Sequence, residues 1–312
     1  GRGGRDWGRL ALLARADLPN CFTGWSGACT GTGTCEVTGA GSAQVVANFA
    51  SCRQNQVSVN TYNGGSDEFV SIYGVDGTIF ALSSSEYYNF YQYPNFSYNR
   101  IPGSNSQIYP RGSWGISKDL FWIFGGKYSN SAIIKVLNNS SSYETLPDNP
   151  LINSMWGTSG QNVWAVGEKA ILHSDGATWS KSARMETLQG IWGTSASDIW
   201  AAGMNATLLH YDGAQWTNVM TGLPSNANLG QVFGLASNDV WVTTSIPGTV
   251  LHFDGKVWAS IPVPFDNIGV LASGAAAGNT DIWLASTRNA PGVIVHWNGA
   301  TWFKAETMRV SL

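Results

Sequence analysis

The sequence predicts an all-β fold, a β-propeller of four-stranded blades, and two observations support that prediction. Similar stretches recur at intervals of roughly 40 residues, which is typical of propellers and related radial arrays. They lie at residues 155–164, 191–200, 232–241 and, with an insertion, 271–283. Each is followed by an apolar strand ending in His, then by Asp-Gly or Asn-Gly, then by Trp. The Asp-Gly and Asn-Gly pairs tolerate the positive φ angles of tight turns, so each unit is expected to contain antiparallel hairpins.

The fourth repeat unit shows how one blade is expected to be built. Its apolar and turn residues predict strands at 188–192, 199–203, 206–211 and 215–219. Tryptophan recurs at two positions of the repeat, one on the second strand and one on the fourth. Aromatic residues at fixed blade positions are expected to fill the space between neighbouring blades. These residues are Trp164, Trp200, Trp241 and Trp283 on the second strand, and Trp179, Trp216, Trp258 and Trp302 on the fourth.

Six repeat units follow residue 57, and the first two and the last are degraded copies. A seventh blade is favoured, with an inner strand at 308–312 and its other strands from residues 34–62, so that both termini close the ring. The alternative is six blades beside a separate Cys-rich module. The expected domains are an N-terminal segment at 1–20, a Cys-rich β segment at 21–56 and the propeller at 57–312.

Composition indicates a secreted, strand-rich protein. Only 12% of the residues are charged, whereas the chain has 37 Gly and 15 Trp. The net charge of −3 gives no basic surface for nucleic acid, and no apolar run is long enough to predict membrane insertion. The chain begins at Gly1, which indicates a piece of a longer product.

All four cysteines lie in the first sixth of the chain, and we predict that they form disulfides. An even set in one short stretch is typical of an oxidising compartment, and the spacings lack the Cys-x-x-Cys pairs of zinc sites. The favoured pairing joins Cys29 to Cys35 and Cys21 to Cys52. No cofactor is predicted, and a calcium ion in the central channel is left open.

Two stretches resemble known bacterial sequences. The pattern Trp-Gly-Thr-Ser-x-x-Asp-(Ile/Val)-Trp, followed by His-x-Asp-Gly-x-x-Trp, resembles repeats of secreted propellers and surface lipoproteins of predatory soil bacteria such as myxobacteria. That resemblance covers residues 150–305 and, more weakly, 70–150. Residues 21–50 resemble a small disulfide-containing module of secreted bacterial proteins. Both resemblances imply an extracellular or cell-surface location in a bacterium, and neither implies a particular ligand.

The repeated polar residues are expected to be structural. All four His residues occupy one repeat position, and equivalent positions of different blades are spread around a ring instead of converging on a metal. The repeated Asp residues occupy hairpin turns. No Gly-x-Ser-x-Gly nucleophile motif and no phosphate-binding Gly loop occurs.

The loops that differ between repeats are the predicted functional surface. In a four-stranded blade, the loops joining strands 2–3 and 4–1 lie on one face, and here they vary in length and chemistry. The first unit has seven aromatics within residues 87–98, and aromatic faces beside amides bind sugars. The alternative is that these aromatics form a strand and pack between blades, with alternate ones exposed. No catalytic residue is predicted. The candidate ligand-binding residues are Tyr87, Tyr88, Tyr91, Tyr93, Tyr98, Arg100, Lys127, Glu168, Asn205 and Arg288.

The sequence therefore predicts a non-catalytic binding propeller that recognises carbohydrate or another cell-surface component, with no nucleic-acid partner. Its oligomeric state is left open. One alternative is a polysaccharide-active hydrolase or lyase with a site in the central depression, drawing on Glu68, Asp76, Glu86, Glu168 or Arg288. The other alternative is a structural or protein-interaction module of a larger surface protein.

Overall fold

The computed structural model describes residues 10–12, 20–27, 35–37, 45–51, 69–75, 78–83, 89–93, 97–100, 109–127, 130–183, 186–276, 281–286 and 293–305, and its description of side chains begins at residue 71. The chain divides into two compact units, residues 1–65 and 66–312. Every described element is a strand, and the described residues include no helix long and apolar enough to cross a membrane.

The first unit contains two small antiparallel sheets. Its strands are β1 (Leu10–Leu12), β2 (Asn20–Gly27), β3 (Cys35–Val37) and β4 (Val45–Ser51). Strand β1 pairs with β3, and β2 pairs with β4. The predicted disulfides lie outside the described residues, because no cysteine side chain is among them.

The second unit carries six four-stranded antiparallel sheets, each formed by consecutive strands of the chain. Sheet 1 comprises β5 (Phe69–Val75), β6 (Thr78–Ser83), β7 (Asn89–Tyr93) and β8 (Ser97–Arg100). Sheet 2 comprises β9 (Tyr109–Ser117), β10 (Leu120–Lys127), β11 (Asn130–Leu137) and β12 (Ser140–Glu144). Sheet 3 comprises β13 (Ile152–Ser159), β14 (Asn162–Gly167), β15 (Ala170–Ser174) and β16 (Trp179–Ala183).

The repeats that are clearest in the sequence form the remaining sheets. Sheet 4 comprises β17 (Leu188–Ser195), β18 (Asp198–Gly203), β19 (Leu208–Tyr211) and β20 (Trp216–Asn218). Sheet 5 comprises β21 (Leu229–Ala236), β22 (Asp239–Thr244), β23 (Thr249–Phe253) and β24 (Trp258–Pro262). Sheet 6 comprises β25 (Leu271–Ala276), β26 (Ile282–Ser286), β27 (Ile294–Trp297) and β28 (Trp302–Ala305). The all-β class and the four-stranded units of the prediction are confirmed.

The favoured count of seven blades is not confirmed, because the described residues contain no seventh four-stranded sheet. The reason lies in the first unit. Residues 35–37 and 45–51, which the seven-blade prediction assigned to the closing blade, pair with β1 and β2 instead. Residues 308–312 lie outside the described residues. First strands of successive sheets are neighbours from β5 through β25, but the described residues show no comparable contact between β25 and β5, so ring closure is not observed.

The predicted Trp positions lie at the contacts between sheets. Trp164, on the second strand of sheet 3, is 4% exposed and meets Trp216 of sheet 4 edge-on, with ring centroids 5.6 Å apart. The same pairing joins Trp200 to Trp258 at 5.1 Å. Such edge-to-face pairs add to the burial of apolar area. The equivalent Trp283 of sheet 6 is 40% exposed.

The repeated Trp-Gly pairs on the first strands explain how closely the sheets approach. A Cβ atom on Gly193 would lie 2.9 Å from the Trp156 ring of sheet 3 and 2.5 Å from the carbonyl oxygen of Asp198. Gly234 stands in the same relation to Trp192, with 2.8 Å to that ring. In sheets 3, 4 and 5 the glycine therefore makes room for the tryptophan of the preceding sheet.

Candidate functional site

A cavity of about 570 Å³ lies where the first strands of all six sheets come together. That volume is within the range of about 300–1,000 Å³ that is usual for small-ligand sites. Eleven of its nineteen lining residues have polar side chains, and most of those side chains are neutral. The lining residues that the first strands contribute are Ser71, Arg111, Gly112, Asn153, Ser154, Gln189, Leu229, Gly230, Gln231, Leu271, Ala272 and Ser273.

A β-bulge at a repeated position places several of these side chains in the lining. In β9 the bulge leaves Arg111 as the extra residue, since Gly112 pairs with Phe124 and Pro110 pairs with Gly125. In β13 and β17 the extra residues are Asn153 and Gln189. Bulges re-aim side chains and are common beside functional sites. Sheets 2, 3 and 4 therefore each present one such side chain to the cavity, and these side chains differ between the repeats.

Hydrogen bonds link neighbouring sheets around the lining. The Arg111 Nη1 donates to Asn153 Oδ1 at 3.1 Å, and Asn153 Nδ2 donates to the carbonyl oxygen of Leu188 at 2.8 Å. One amide thus ties sheets 2, 3 and 4 together. Elsewhere the hydroxyl of Ser113 donates to that of Ser71 at 2.9 Å.

Sheets 5 and 6 are joined in a similar way. The backbone N–H of Gly274 donates to Gln231 Oε1 at 2.9 Å, and the Gln231 backbone N–H donates to Thr243 Oγ1 at 2.9 Å. These contacts fix the Gln231 side chain. Its Nε2 group donates no hydrogen bond to a described residue. The amide of Gln189, which is half-buried, has no hydrogen-bond partner in the described part of the chain. The whole Gln189 amide and the Nε2 group of Gln231 are therefore available to a ligand.

Charge in the lining is confined to one group. Among the described lining residues, Arg111 alone is charged, and none is Asp or Glu. A guanidinium, free amides and hydroxyls can together donate and accept several hydrogen bonds. The arrangement can therefore bind a polar ligand that carries hydroxyl groups.

The cavity opens among the loops that the sequence analysis favoured. Met204 and Ser245 begin the 2–3 loops of sheets 4 and 5, Asn228 ends the 4–1 loop before β21, and all three line the cavity. Two of the predicted binding residues, Glu168 and Asn205, are exposed on 2–3 loops of sheets 3 and 4 but are not lining residues. Asn205 Nδ2 donates to Glu186 Oε2 at 3.4 Å.

The other predicted binding residues are described less fully. Three of them, Tyr87, Tyr88 and Arg288, lie outside the described residues. Only the backbone is described for the remainder: Tyr91 and Tyr93 on β7, Tyr98 and Arg100 on β8, and Lys127 at the end of β10. The ends of β8 and β10 lead into 4–1 and 2–3 loops.

The repeated histidines are structural, as the sequence analysis expected. Each stacks on the second-strand Trp of its own sheet, for example His210 on Trp200 with ring centroids 4.2 Å apart. Its Nε2 hydrogen-bonds a side chain of the first hairpin turn, 2.7 Å from Asp198 Oδ1. The partners of His173, His252 and His296 are Asn162, Asp239 and Asp281. No group of three or more metal-binding side chains occurs among the described residues.

The second set of repeated carboxylates closes the 3–4 turns. Asp212 Oδ1 accepts the N–H groups of Ala214 and Gln215, both at 2.9 Å, and Gly213 adopts a φ of +96°. The hydrogen bond from Gln215, followed by that from Ala214, holds the pKa of Asp212 below its ordinary value. Asp175 and Asp254 have lowered pKa values for the same reason. These aspartates are committed to turn geometry.

Sequence reasoning missed the main lining residues Arg111, Asn153, Gln189 and Gln231. A signal was present: polar side chains occur two or three residues before the first-strand aromatic, inside otherwise apolar strands. The bulge that makes them converge is a register feature, which the single sequence does not display.

Comparison with known proteins gives structural likeness only. No family model matches the chain, and no curated protein matches it. Virginiamycin B lyase from Staphylococcus aureus, solved with quinupristin, superposes with a TM-score of 0.65 at 12% identity over 80% of this chain and 87% of its own. A GH74 xyloglucanase from Xanthomonas campestris gives 0.63 at 13% identity over 78% of this chain and 46% of its own.

A third similar structure is YCF48 from Cyanidioschyzon merolae, with a TM-score of 0.57 and 11% identity over 77% of this chain and 85% of its own. The chain spans about half the length of the xyloglucanase. These neighbours are β-propellers. At such low identity the likeness shows the fold alone, and the fold shown is the β-propeller.

Proposed function

We propose that this chain is a non-catalytic binding propeller of the bacterial exterior, which recognises carbohydrate or another cell-surface component through its central cavity and the loops at its mouth. The observation that supports this most is the lining itself. The Gln189 amide and the Gln231 Nε2 group have no partner among the described residues, the lining also contains hydroxyl side chains, and the described lining has no carboxylate. Sugar hydroxyls both donate and accept hydrogen bonds, so amides suit them.

Apolar surface near the mouth complements those polar groups. Met204 is 40% exposed in the lining, and Tyr109, 45% exposed, begins the strand that carries Arg111. The apolar C–H faces of sugars pack on such side chains. Glu168, Asn205, Lys127 and the aromatic residues of sheet 1 are the proposed outer contacts, because they lie on or beside the variable loops or on sheet 1.

A second candidate function is a polysaccharide-active hydrolase or lyase, and one observation favours it. Two of the three similar structures described above are named as enzymes, a xyloglucanase and a lyase. Glycoside hydrolysis by the usual mechanism requires two carboxylates placed about 5–10 Å apart across one bond. The described lining supplies none, so binding is the preferred proposal.

A screen of the purified full chain on a broad glycan and bacterial-polysaccharide array tests the proposal. The same samples are then analysed for newly formed chain ends. We expect binding to specific glycans with no cleavage, and no signal from heat-denatured protein. Cleaved ends would replace the binding role with the enzymatic one. Neither binding nor cleavage would contradict both and favour a structural or protein-interaction module.

A further inference from the structure

We infer that the central cavity selects an acidic saccharide, one that carries a carboxylate, and that Arg111 is the residue that selects it. This inference rests on the proposed function and names its ligand class. The first observation is the charge of the lining. Arg111 is the single charged residue among the described lining residues, and it is exposed there. A cavity lined by one sign of charge concentrates its field on ligands of the opposite sign.

The second observation is that no described residue supplies a counter-charge to the guanidinium. Arg111 forms no ion pair with any described residue, and its protein partner is the neutral amide of Asn153, 3.1 Å from Nη1. A guanidinium has five N–H donors, so most of them remain for a ligand. A carboxylate can take two of them in a bidentate arrangement.

The third observation is that Arg111 is held in place. It is the extra residue of the β9 bulge, and Asn153, its hydrogen-bond partner, is anchored to the Leu188 carbonyl oxygen of sheet 4 at 2.8 Å. A fixed fork loses less conformational entropy on binding than a mobile side chain. Asn153 therefore acts as a positioning residue for Arg111.

The neutral groups of the lining define the rest of the ligand. Gln189 and Gln231 lie on the neighbouring first strands of sheets 4 and 5. Hydroxyl groups of a sugar ring would bind these amides while its carboxylate binds Arg111. A uronic acid has both features in one residue.

Binding of oligogalacturonate to the full chain, measured by titration calorimetry, tests this inference. The matched ligand is the same oligosaccharide after carboxyl reduction, which removes the charge and keeps the ring. We expect the acidic form to bind at least about tenfold more tightly, as charge-assisted hydrogen bonds predict. The affinity is expected to fall with increasing salt.

Three variants test whether Arg111 causes the preference for the acidic oligosaccharide. Arg111→Gln is expected to lose most of the preference for the acidic form and its salt dependence, and Arg111→Lys is expected to keep part of both. The control is Lys256→Gln, which removes a positive charge from an exposed 3–4 turn of sheet 5 and leaves the cavity intact. Circular dichroism confirms that each variant is folded.

The outcomes separate the two proposals. Equal binding of both oligosaccharides, or an unchanged preference in Arg111→Gln, overturns the acidic ligand and leaves a carbohydrate-binding propeller. Absence of binding to both forms also overturns the inference, and the glycan array then decides whether the proposed function stands. Binding of a peptide with a free C-terminal carboxylate, without binding of either saccharide, would reassign Arg111 to a protein partner.

Discussion

The repeated histidine of sheet 3 differs from the other three in its hydrogen-bond partner, which is an asparagine instead of an aspartate. His173 Nε2 lies 2.7 Å from Asn162 Oδ1, where the other sheets have Asp. Burial, partly opposed by the charge of Asp175, lowers the pKa of His173. Because its folded pKa is depressed, the neutral imidazole contributes stability above about pH 6.5, and that contribution is lost as the pH falls.

Asn162→Asp is therefore expected to raise the pKa of His173. The new carboxylate would stabilise the imidazolium of His173. An NMR titration of the imidazole signals measures the effect. Asn218→Asp, on the exposed outer strand of sheet 4, is the control and is expected to leave His173 unchanged. An unchanged pKa in Asn162→Asp would contradict the assigned contact.

The aspartates of the 3–4 turns are expected to make the unfolding free energy depend on pH in a second way. Backbone N–H groups lower the pKa values of Asp175, Asp212 and Asp254, so these carboxylates stabilise the fold above about pH 4 and lose that effect as the pH falls through their folded pKa values. Asn298 forms the same turn without a charge. A variant with Asn at all three of these positions is expected to keep the turns. Below about pH 4, its unfolding free energy is expected to depend less on pH than that of the wild type. Urea denaturation between about pH 2.5 and 7 measures both; parallel curves would refute the prediction.

At the scale of the elements, the Trp-Gly pair sets the spacing of adjacent sheets. A Cβ on Gly193 would meet the Trp156 ring at 2.9 Å and a backbone oxygen at 2.5 Å. Overpacking of this kind costs about 1–3 kcal/mol. Gly193→Ala is therefore expected to lower the unfolding free energy by about that amount, whereas Ser182→Ala, on an exposed outer strand, changes it by less than about 0.5 kcal/mol. Chemical denaturation compares them, and equal stabilities would show that the sheets are not packed this closely.

The elements also show what a single sequence can predict. The strands of sheet 4 follow the expected hairpins closely, because Asp-Gly turns and apolar periodicity are local signals. The assignment of residues 34–62 to a closing blade failed because strand pairing across the chain is a long-range choice that local patterns do not fix. Arg111, Asn153 and Gln189 were missed for a related reason: their meeting point depends on bulge register and on the arrangement of sheets.

For the whole molecule, the first strands of six sheets contribute to a shared cavity, and the repeats that build the scaffold leave the lining free to vary. The turn, histidine and Trp-Gly contacts recur in several repeats and hold the sheets in place. The non-repeated side chains, with amides on sheets 3, 4 and 5 and a guanidinium on sheet 2, then give the cavity its chemistry. Function on this scaffold is therefore expected at the centre and its mouth.

Ligand is expected to bind in this cavity. Titration calorimetry with the strongest-binding glycan of the array tests this by comparing two glutamine variants. Gln189→Ala removes an unpaired amide from the lining, and Gln215→Ala removes an amide from an exposed turn outside it. We expect an affinity loss of about threefold to tenfold for Gln189→Ala and none for Gln215→Ala. Wild-type affinity in Gln189→Ala, or a loss confined to Gln215→Ala, would place the binding site elsewhere.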